Sequence, residues 1–351
     1  MESAFGGAES AFGGALDSMD DLELMVSVAR MYYQRGLKQE EIARKVKVSR
    51  ASVSLLLAEA RRRGIVEITI RNPLEDNEEL SRKLAAEFGL QRCMVAPTSI
   101  RETDILIDLT ASRAAEIFDE EARSGDTVGI AWGRTCYAFM DRYQARGFLH
   151  GMQVLPMIGG SNRNLPRYQL NEMVRFFAEK LQATPSFIHA PALAASRDDY
   201  ELYMGSSSMQ AVIEMWSRID IAVVSVGAPP VSQEFDGSRV LVPRRASSAP
   251  DALPIGDICA RYFDIRGRFV EDELSGRIIG ISVESLRRIP KILCVAGGLE
   301  KAYSLLGALK TGIITILVTD ETTATAVLSA RREEESGNIT RSIASLFQVS
   351  P

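Results

Sequence analysis

Histidine and cysteine are scarce in this sequence. Its 351 residues include two histidines, His150 and His189, and four cysteines, Cys93, Cys136, Cys259 and Cys294. No two cysteines form a Cys-x-x-Cys pair, which excludes a zinc knuckle or a redox motif built from local spacing. They read as buried thiols of a cytoplasmic protein. Two histidines argue against a histidine-rich metal site, and a Ser-His-Asp triad would have to recruit one of them without a supporting motif. No cofactor is expected. No apolar run reaches the roughly 18 residues of a membrane span. The N-terminus also lacks a basic stretch followed by an apolar core, so neither a membrane partner nor a secretory signal is expected.

What is present is an ordinary globular balance of 46% hydrophobic and 25% charged residues, long enough for about two domains of roughly 150 residues each. The net charge of −5 argues by itself against a nucleic-acid partner. That average hides a split. Residues 22–71 carry eleven basic side chains and five acidic ones, so this stretch is +6 and the remainder of the chain is −11. Such asymmetry points to a small module for a polyanion joined to a larger acidic body. Ahead of it, Glu2-Ser-Ala-Phe-Gly-Gly-Ala8 is repeated as Glu9-Ser-Ala-Phe-Gly-Gly-Ala15. Two such copies are too short for a solenoid, and the glycine pairs disfavour a helix, so residues 1–21 read as a flexible tail or an expression scar.

From Leu22 the pattern turns helical. Met25, Val28, Ala29 and Tyr32 line one face of a first helix that Gly36 stops. Leu37, Ile42, Ala43 and Val46 form the inner face of a second, and Lys47-Val48-Ser49 is a turn. Ser49 is placed to cap a third helix, Arg50 to Arg63, with Val53, Leu56, Leu57 and Ala60 inward. Ile65 to Ile70 alternates as a short strand would. Three helices and a strand hairpin over residues 22–71 make a winged helix-turn-helix. The N-terminal part of the motif's second helix enters the major groove of DNA, so its outward side chains must be polar. Arg50, Ser52 and Ser54 stand there beside Ser49, while Lys38 and Gln39 open the preceding helix, where phosphates lie. Arg61, Arg62 and Arg63 are placed for phosphates near the wing. The alternative is a three-helix protein-interaction unit whose charges are a solvated face.

The run Tyr33-x-x-Gly-Leu-Lys-Gln-Glu-Glu-Ile-Ala-Arg-Lys-Val-Lys-Val-Ser-Arg-Ala-Ser-Val-Ser-Leu-Leu-Leu-x-Glu-Ala-x-x-x-Gly-Ile-Val66 resembles the N-terminal domain of the SorC family of sugar-sensing bacterial transcriptional regulators. One departure is Leu55, where the family commonly has Arg or Lys. Asn72-Pro73 ends the wing. Residues 72–90 read as a linker helix in which Leu80, Leu84 and Phe88 form a narrow apolar stripe. The stripe either packs on the body or pairs two chains, and the resemblance favours pairing.

From about residue 91 short apolar runs alternate with helical patterns, which predicts a doubly wound, mostly parallel α/β body over residues 91–351. Thr127 to Ala131 is a strand, followed by Trp132-Gly133-Arg134-Thr135 and an amphipathic helix through Tyr137, Met140 and Tyr143. A strand that runs through a glycine turn into a helix start offers free backbone N–H groups and the positive end of a helix dipole, a ready anion site. Arg134 and the Thr135 hydroxyl add donors. The bland reading is a glycine turn kept for steric reasons. Lys291 to Ala296 is a second such strand, with Gly297-Gly298-Leu-Glu-Lys301 opening a helix to about Leu309. Thr315 to Val318 leads into Thr319-Asp320-Glu321, and Ile221 to Val226 into Gly227-Ala-Pro-Pro230. Ligands of open α/β sheets bind beyond the carboxyl ends of the strands, where all these loops lie. Two anion-friendly turns with Lys301 at the second favour a phosphorylated small molecule.

Gly125-Asp-Thr-Val-Gly-Ile-Ala-Trp-Gly-Arg-Thr135, Asn171-Glu-Met-Val-Arg175, Gly256-Asp-Ile-Cys-Ala-Arg-Tyr-Phe-Asp-Ile-Arg-Gly267, Ala296-Gly-Gly-Leu-Glu-Lys-Ala302 and Leu317-Val-Thr-Asp-Glu-Thr-Thr-Ala324 look like the SorC effector domain. Coverage runs from about residue 22 to 330. The resemblance implies a fold related to sugar-phosphate isomerases, a phosphorylated sugar or polyol as effector, and a homotetramer on double-stranded operator DNA. By position, Gly133, Arg134, Thr135 and Lys301 would hold the phosphate, while Asp257 and Asp320 would meet sugar hydroxyls. Ser225-Val-Gly replaces the family's Gly-Ile-Gly type of turn, and residues 331–351 are a charged extension without a counterpart. Lys301 as a solvated first-turn lysine and Asp257 as a turn cap remain the plain alternatives.

The resulting expectation is a cytoplasmic, non-enzymatic transcriptional regulator of a carbohydrate or polyol operon, a repressor on family habit. The competing classes are an active sugar-phosphate isomerase or aldolase with an appended DNA module, and an adaptor that never touches DNA. For the enzyme, Asp257, Asp320 and Glu321 are candidate carboxylates, but no paired motif supports them.

Overall fold

The computed structural model describes residues 19–66, 77–145, 147, 149–160, 169–227, 253–271 and 273–346. The repeated heptapeptide, residues 67–70 of the expected wing strand, Asn72-Pro73 and residues 228–230 lie outside them. The chain divides into two compact units, residues 1–73 and 74–351.

In the first unit, α1 (Met19–Ala29) continues through a wider π turn at Arg30–Gln34 and stops at Gly36, in the left-handed region with φ +66°. In α2 (Gln39–Val46) the Glu41 carboxylate accepts the Lys38 backbone N–H at 2.9 Å, satisfying one orphan donor at the helix start. Lys47, also left-handed, ends it. Ser49 then caps α3 (Arg50–Arg62) by accepting the Ser52 N–H at 3.0 Å, an interaction worth about 1 kcal/mol. Met25, Val28, Ile42, Val53, Leu56, Leu57 and Ala60 close a core of their own, as their helical spacing requires.

The second unit opens with α4 (Glu78–Phe88), β1 (Arg92–Ala96), α5 (Thr103–Glu121), β2 (Thr127–Ile130) and α6 (Arg134–Arg142). Next come β3 (Gln153–Pro156), α7 (Leu170–Leu181), the two-residue β4 (Thr184–Pro185), α8 (Arg197–Gly205), α9 (Ser207–Trp216) and β5 (Ile221–Val224). An antiparallel hairpin, β6 (Gly256–Ile258) and β7 (Arg261–Phe263), stands apart from the main sheet. The unit ends with α10 (Val283–Arg288), β8 (Lys291–Val295), α11 (Ala302–Lys310), β9 (Ile316–Asp320), α12 (Glu321–Glu335) and α13 (Ile339–Leu346).

Seven strands form one sheet in the order β1-β9-β8-β5-β2-β3-β4, every pair parallel. β2, β5 and β9 are buried at every position. Because successive side chains point to opposite faces, both faces of the sheet are covered. Part of the cover is a cluster of Phe118, Phe139, Tyr143 and Phe177, contributed by α5, α6 and α7. Phe118 meets the other three rings edge-on at centroid distances of 5.5 Å.

Leu84 of α4 is fully buried in the body's core, and Glu87 pairs with Arg331 of α12 at 2.7 Å. The apolar stripe of the linker region therefore packs on the body from Glu78 onward. In the charged extension residues 331–335 and 339–346 are helical, and Ile339 and Ile343 of α13 join the same core.

Candidate functional site

The strand order fixes where a ligand can enter. After β2 the chain winds outward through β3 to β4, then returns to the other side of β2 as β5, β8 and β9. The winding reverses between β2 and β5, and at such a switch point the loops leaving the strand ends diverge and open a crevice.

The loops beyond β2 and β8, the strands on either side of β5, carry expected residues. Beyond β2, Gly133 adopts φ +119° and ψ 161°, a conformation reserved for glycine, with open space where a side chain would begin. It launches α6 with Arg134 and Thr135 in the first turn. Thr135 is buried, whereas Arg134 is half exposed and lies 3.6 Å from Asp104 in a solvent-facing ion pair. Beyond β8, Gly298 repeats the wide positive φ at +109° and leads through a short 3-10 turn, Leu299–Lys301, into α11. The Lys301 ammonium donates to Thr135 Oγ1 and to Ser225 Oγ, both at 3.3 Å. One lysine thus spans the loops of three adjacent strands, β8, β5 and β2. Burial lowers its pKa.

Asp257 reaches the same place from the hairpin. Its backbone carbonyl accepts the Gly227 N–H at 3.0 Å, and a Cβ on Gly227 would fall 1.9 Å from Asp257 Oδ1, so only glycine fits beneath this carboxylate. Oδ2 accepts the Ala260 N–H at 2.9 Å, steadying a hairpin turn in which Cys259 and Ala260 both have positive φ. Burial pushes the Asp257 carboxyl up to about 6, against the opposing effects of that hydrogen bond and of the Lys301 charge. Burial also pushes the Cys136 and Cys294 thiols up to about 12, which leaves them protonated and unreactive at neutral pH. Among the described residues no group of His, Cys, Asp or Glu is placed to hold a metal ion.

Asp320 is at a different level of the site. It has no exposed surface. Oδ2 accepts the Gly298 N–H at 3.1 Å and the Thr323 hydroxyl at 2.6 Å, while Oδ1 caps α12 by accepting the Thr323 N–H at 2.8 Å and also takes the Thr322 hydroxyl. Both oxygens are thus engaged, and the carboxylate holds the Gly298 loop in place. Ser225 is the contact that residue patterns did not single out. Its signals are its place directly after a buried strand and the Ser225-Val-Gly departure from the family's turn, without the glycine-to-helix turn that marks Thr135 and Lys301.

In the helical module, Lys38, Arg50, Ser54 and Arg61 are exposed and Gln39 is half-buried. Ser49 is engaged as the cap of α3, and its hydroxyl is also 2.8 Å from that of Ser52. Arg50 makes a solvent-exposed ion pair with Glu40 at 3.1 Å. Arg62 and Arg63 both hold Glu59, whose carboxyl they lower to about 2, while Arg61 takes no part in that cluster.

The Lys301 ammonium between the loops of β8, β5 and β2, at the switch of a parallel sheet and in the same chain as a helix-turn-helix, is the arrangement of a ligand-responsive DNA-binding protein. The sugar-binding domain family matches residues 72–329. The chain is 28% identical over 314 residues to the sorbitol operon regulator of Klebsiella pneumoniae, covering 89% of this chain and 100% of that protein. It is 28% identical over 316 residues to the deoxyribonucleoside regulator of Bacillus subtilis, with coverages of 88% and 97%. It is 26% identical over 310 residues to the erythritol catabolism regulatory protein EryD of Brucella abortus, with coverages of 88% and 97%. The crystal structure of the full-length Klebsiella regulator superimposes with a TM-score of 0.63 over 88% of this chain and 99% of that one. The chain belongs to the SorC family of sugar-binding regulators and is a DNA-binding transcriptional regulator.

Proposed function

We propose that this regulator controls a carbohydrate or polyol catabolic operon in the cytoplasm, as a homotetrameric repressor released by a phosphorylated sugar or polyol. The observation that carries the reading is Lys301, a part-buried cation between Thr135 and Ser225 at the point where the sheet reverses its winding. An anion there restores the favourable surroundings that burial denies the ammonium group. Gly133, Arg134 and Thr135 add the start of α6 and further donors, so these residues and Lys301 hold the phosphate. Asp257 then accepts from a sugar hydroxyl with the oxygen not committed to Ala260, and Asp320 positions the Gly298 loop. Lys38, Gln39, Arg50, Ser54 and Arg61 contact operator DNA, with Ser49 and Ser52 shaping the start of α3. The relatives' names place sorbitol, deoxyribonucleosides and erythritol within the range of compounds to test.

The effector acts by preferring one arrangement of the body over another, and the shift is bounded by that difference in affinity. The body binds without turnover. A thermal-shift screen of paired free and phosphorylated sugars and polyols tests the proposal. Stabilisation by phosphorylated compounds alone, lost in Lys301→Met, is expected. Stabilisation by free compounds only would remove the phosphate from the reading, and turnover that Asp257→Asn abolishes would make the body an enzyme.

A further inference from the structure

On α3 the buried residues Val53, Leu56, Leu57 and Ala60 mark the inner face. At 100° per residue, the opposite face runs through Ala51, Leu55, Ala58 and Arg62. Leu55 therefore sits at the centre of the outward face, in the second turn of the helix that a helix-turn-helix lays into the major groove. It is 64% exposed, the most exposed large apolar side chain among the described residues of the module. An isolated surface leucine is unremarkable. The position and company of this one are what matter. Ala51 and Ala58, one turn to either side, are exposed and small, so nothing bulky keeps the helix from a close approach at Leu55. The polar groups suited to phosphates, Lys38, Arg50 and Arg61, belong to the same +6 segment, which gives this face a polyanion as its natural partner.

Within the major groove the base edges are hydrogen-bonding groups, with one apolar exception, the C5 methyl of thymine. A leucine set against a guanine, cytosine or adenine edge leaves that edge's donors and acceptors dehydrated without a partner. Against thymine it buries a methyl group.

We propose that Leu55 is a specificity-determining residue that reads thymine methyl groups in each half-site of the operator. The inference rests on DNA binding through α3, and the occupant of this face is a base edge of the operator, not a second copy of the chain. Where a basic residue at this position would select guanine through its O6 and N7, leucine selects the methyl group. The operator consequently differs from one read by Arg or Lys at this place.

The test begins with the full-length protein and a randomised duplex pool, from which bound sequences are enriched. In the enriched duplex each thymine is replaced in turn by deoxyuridine, which deletes the C5 methyl and nothing else. Wild-type protein is expected to lose about three- to fivefold in affinity at one or two thymines per half-site, the transfer value of one methyl group. Leu55→Ala, which places a good helix former at an exposed position, is expected to bind thymine and uracil versions equally. Leu55→Arg is expected to enrich guanine at those positions. The proposal is overturned if every thymine tolerates replacement in the wild type, or if Leu55→Ala loses as much as the wild type does. It is also overturned if Leu55→Ala alters the oligomeric state in sedimentation while leaving the thymine preference intact. A pool that shows neither enrichment nor retardation would instead remove DNA binding itself. The deoxyuridine series in wild-type protein needs no variant to fold.

Discussion

At Lys301 a cation stands where burial disfavours it, held by two hydroxyls and no direct carboxylate partner among the hydrogen bonds described. Replacing it with methionine removes a desolvation cost and a binding group together. Lys301→Met is therefore expected to leave the unliganded midpoint of thermal unfolding unchanged or higher, while abolishing stabilisation by the effector. A fall in the unliganded midpoint would mean that the ammonium contributes more to the fold than to binding. Asp257 gives the complementary pH effect. Its carboxyl is raised from 3.8 to about 6 in the folded protein, so the native state holds a proton that the unfolded chain has released between those values. Its contribution to stability is thus fully present below about pH 4 and lost as pH rises through 6, a loss of about 3 kcal/mol. Urea titrations from pH 4 to 7 are expected to show this decline in the wild type and a flatter profile in Asp257→Asn. At this scale Thr135 and Lys301 were legible because glycine turns at strand ends announce themselves. Their meeting was not, since Lys301 lies 166 residues from Thr135 in sequence and only the sheet order brings them together.

The loops of β8 and β9 act as one element through Asp320. Asp320→Ala would leave the Thr323 N–H and two threonine hydroxyls without their acceptor, and the Gly298 N–H with Thr323 Oγ1 alone. The combined loss of a helix cap and of buried hydrogen bonds is expected to destabilise the protein by about 2–4 kcal/mol in chemical denaturation. A loss below about 1 kcal/mol would mean that water or another group takes over these bonds. The family resemblance implies a contact from Asp320 to sugar hydroxyls; its carboxylate also carries a structural role, because the threonines that follow it turn back onto it. Strands β2, β5, β8 and β9 were readable as apolar runs. β4 is two residues long, and β3 opens with an exposed glutamine and ends in proline, so neither offers a periodicity to detect. The stripe of α4 was also visible, but a stripe states that a face is covered without stating by what. Its partners, β1 and α12, are fixed only by the fold.

For the whole molecule, charge separates the two functions. A +6 module contacting several phosphates predicts that operator affinity falls by about a thousandfold between 50 and 200 mM salt, measured by fluorescence anisotropy. A flat dependence would contradict phosphate contact by this face. Arg50→Ala is expected to reduce preference for operator over random duplex more than it reduces affinity for random duplex, as a base contact should.

The position of β1 has a consequence for how the chain is made. Among the described residues β1 is the first strand of the body in sequence, yet it lies at the sheet edge and pairs there with β9 alone, Arg92 opposite Ile316. During synthesis β1 must wait while more than two hundred further residues emerge before it can pair. The three-helix module needs only contacts within its own short span and can close long before that. A ribosome partway along the message thus carries a finished DNA-reading unit ahead of an unfinished sensor. Truncation between the end of the module and β9 would release a module able to fold but uncoupled from the body.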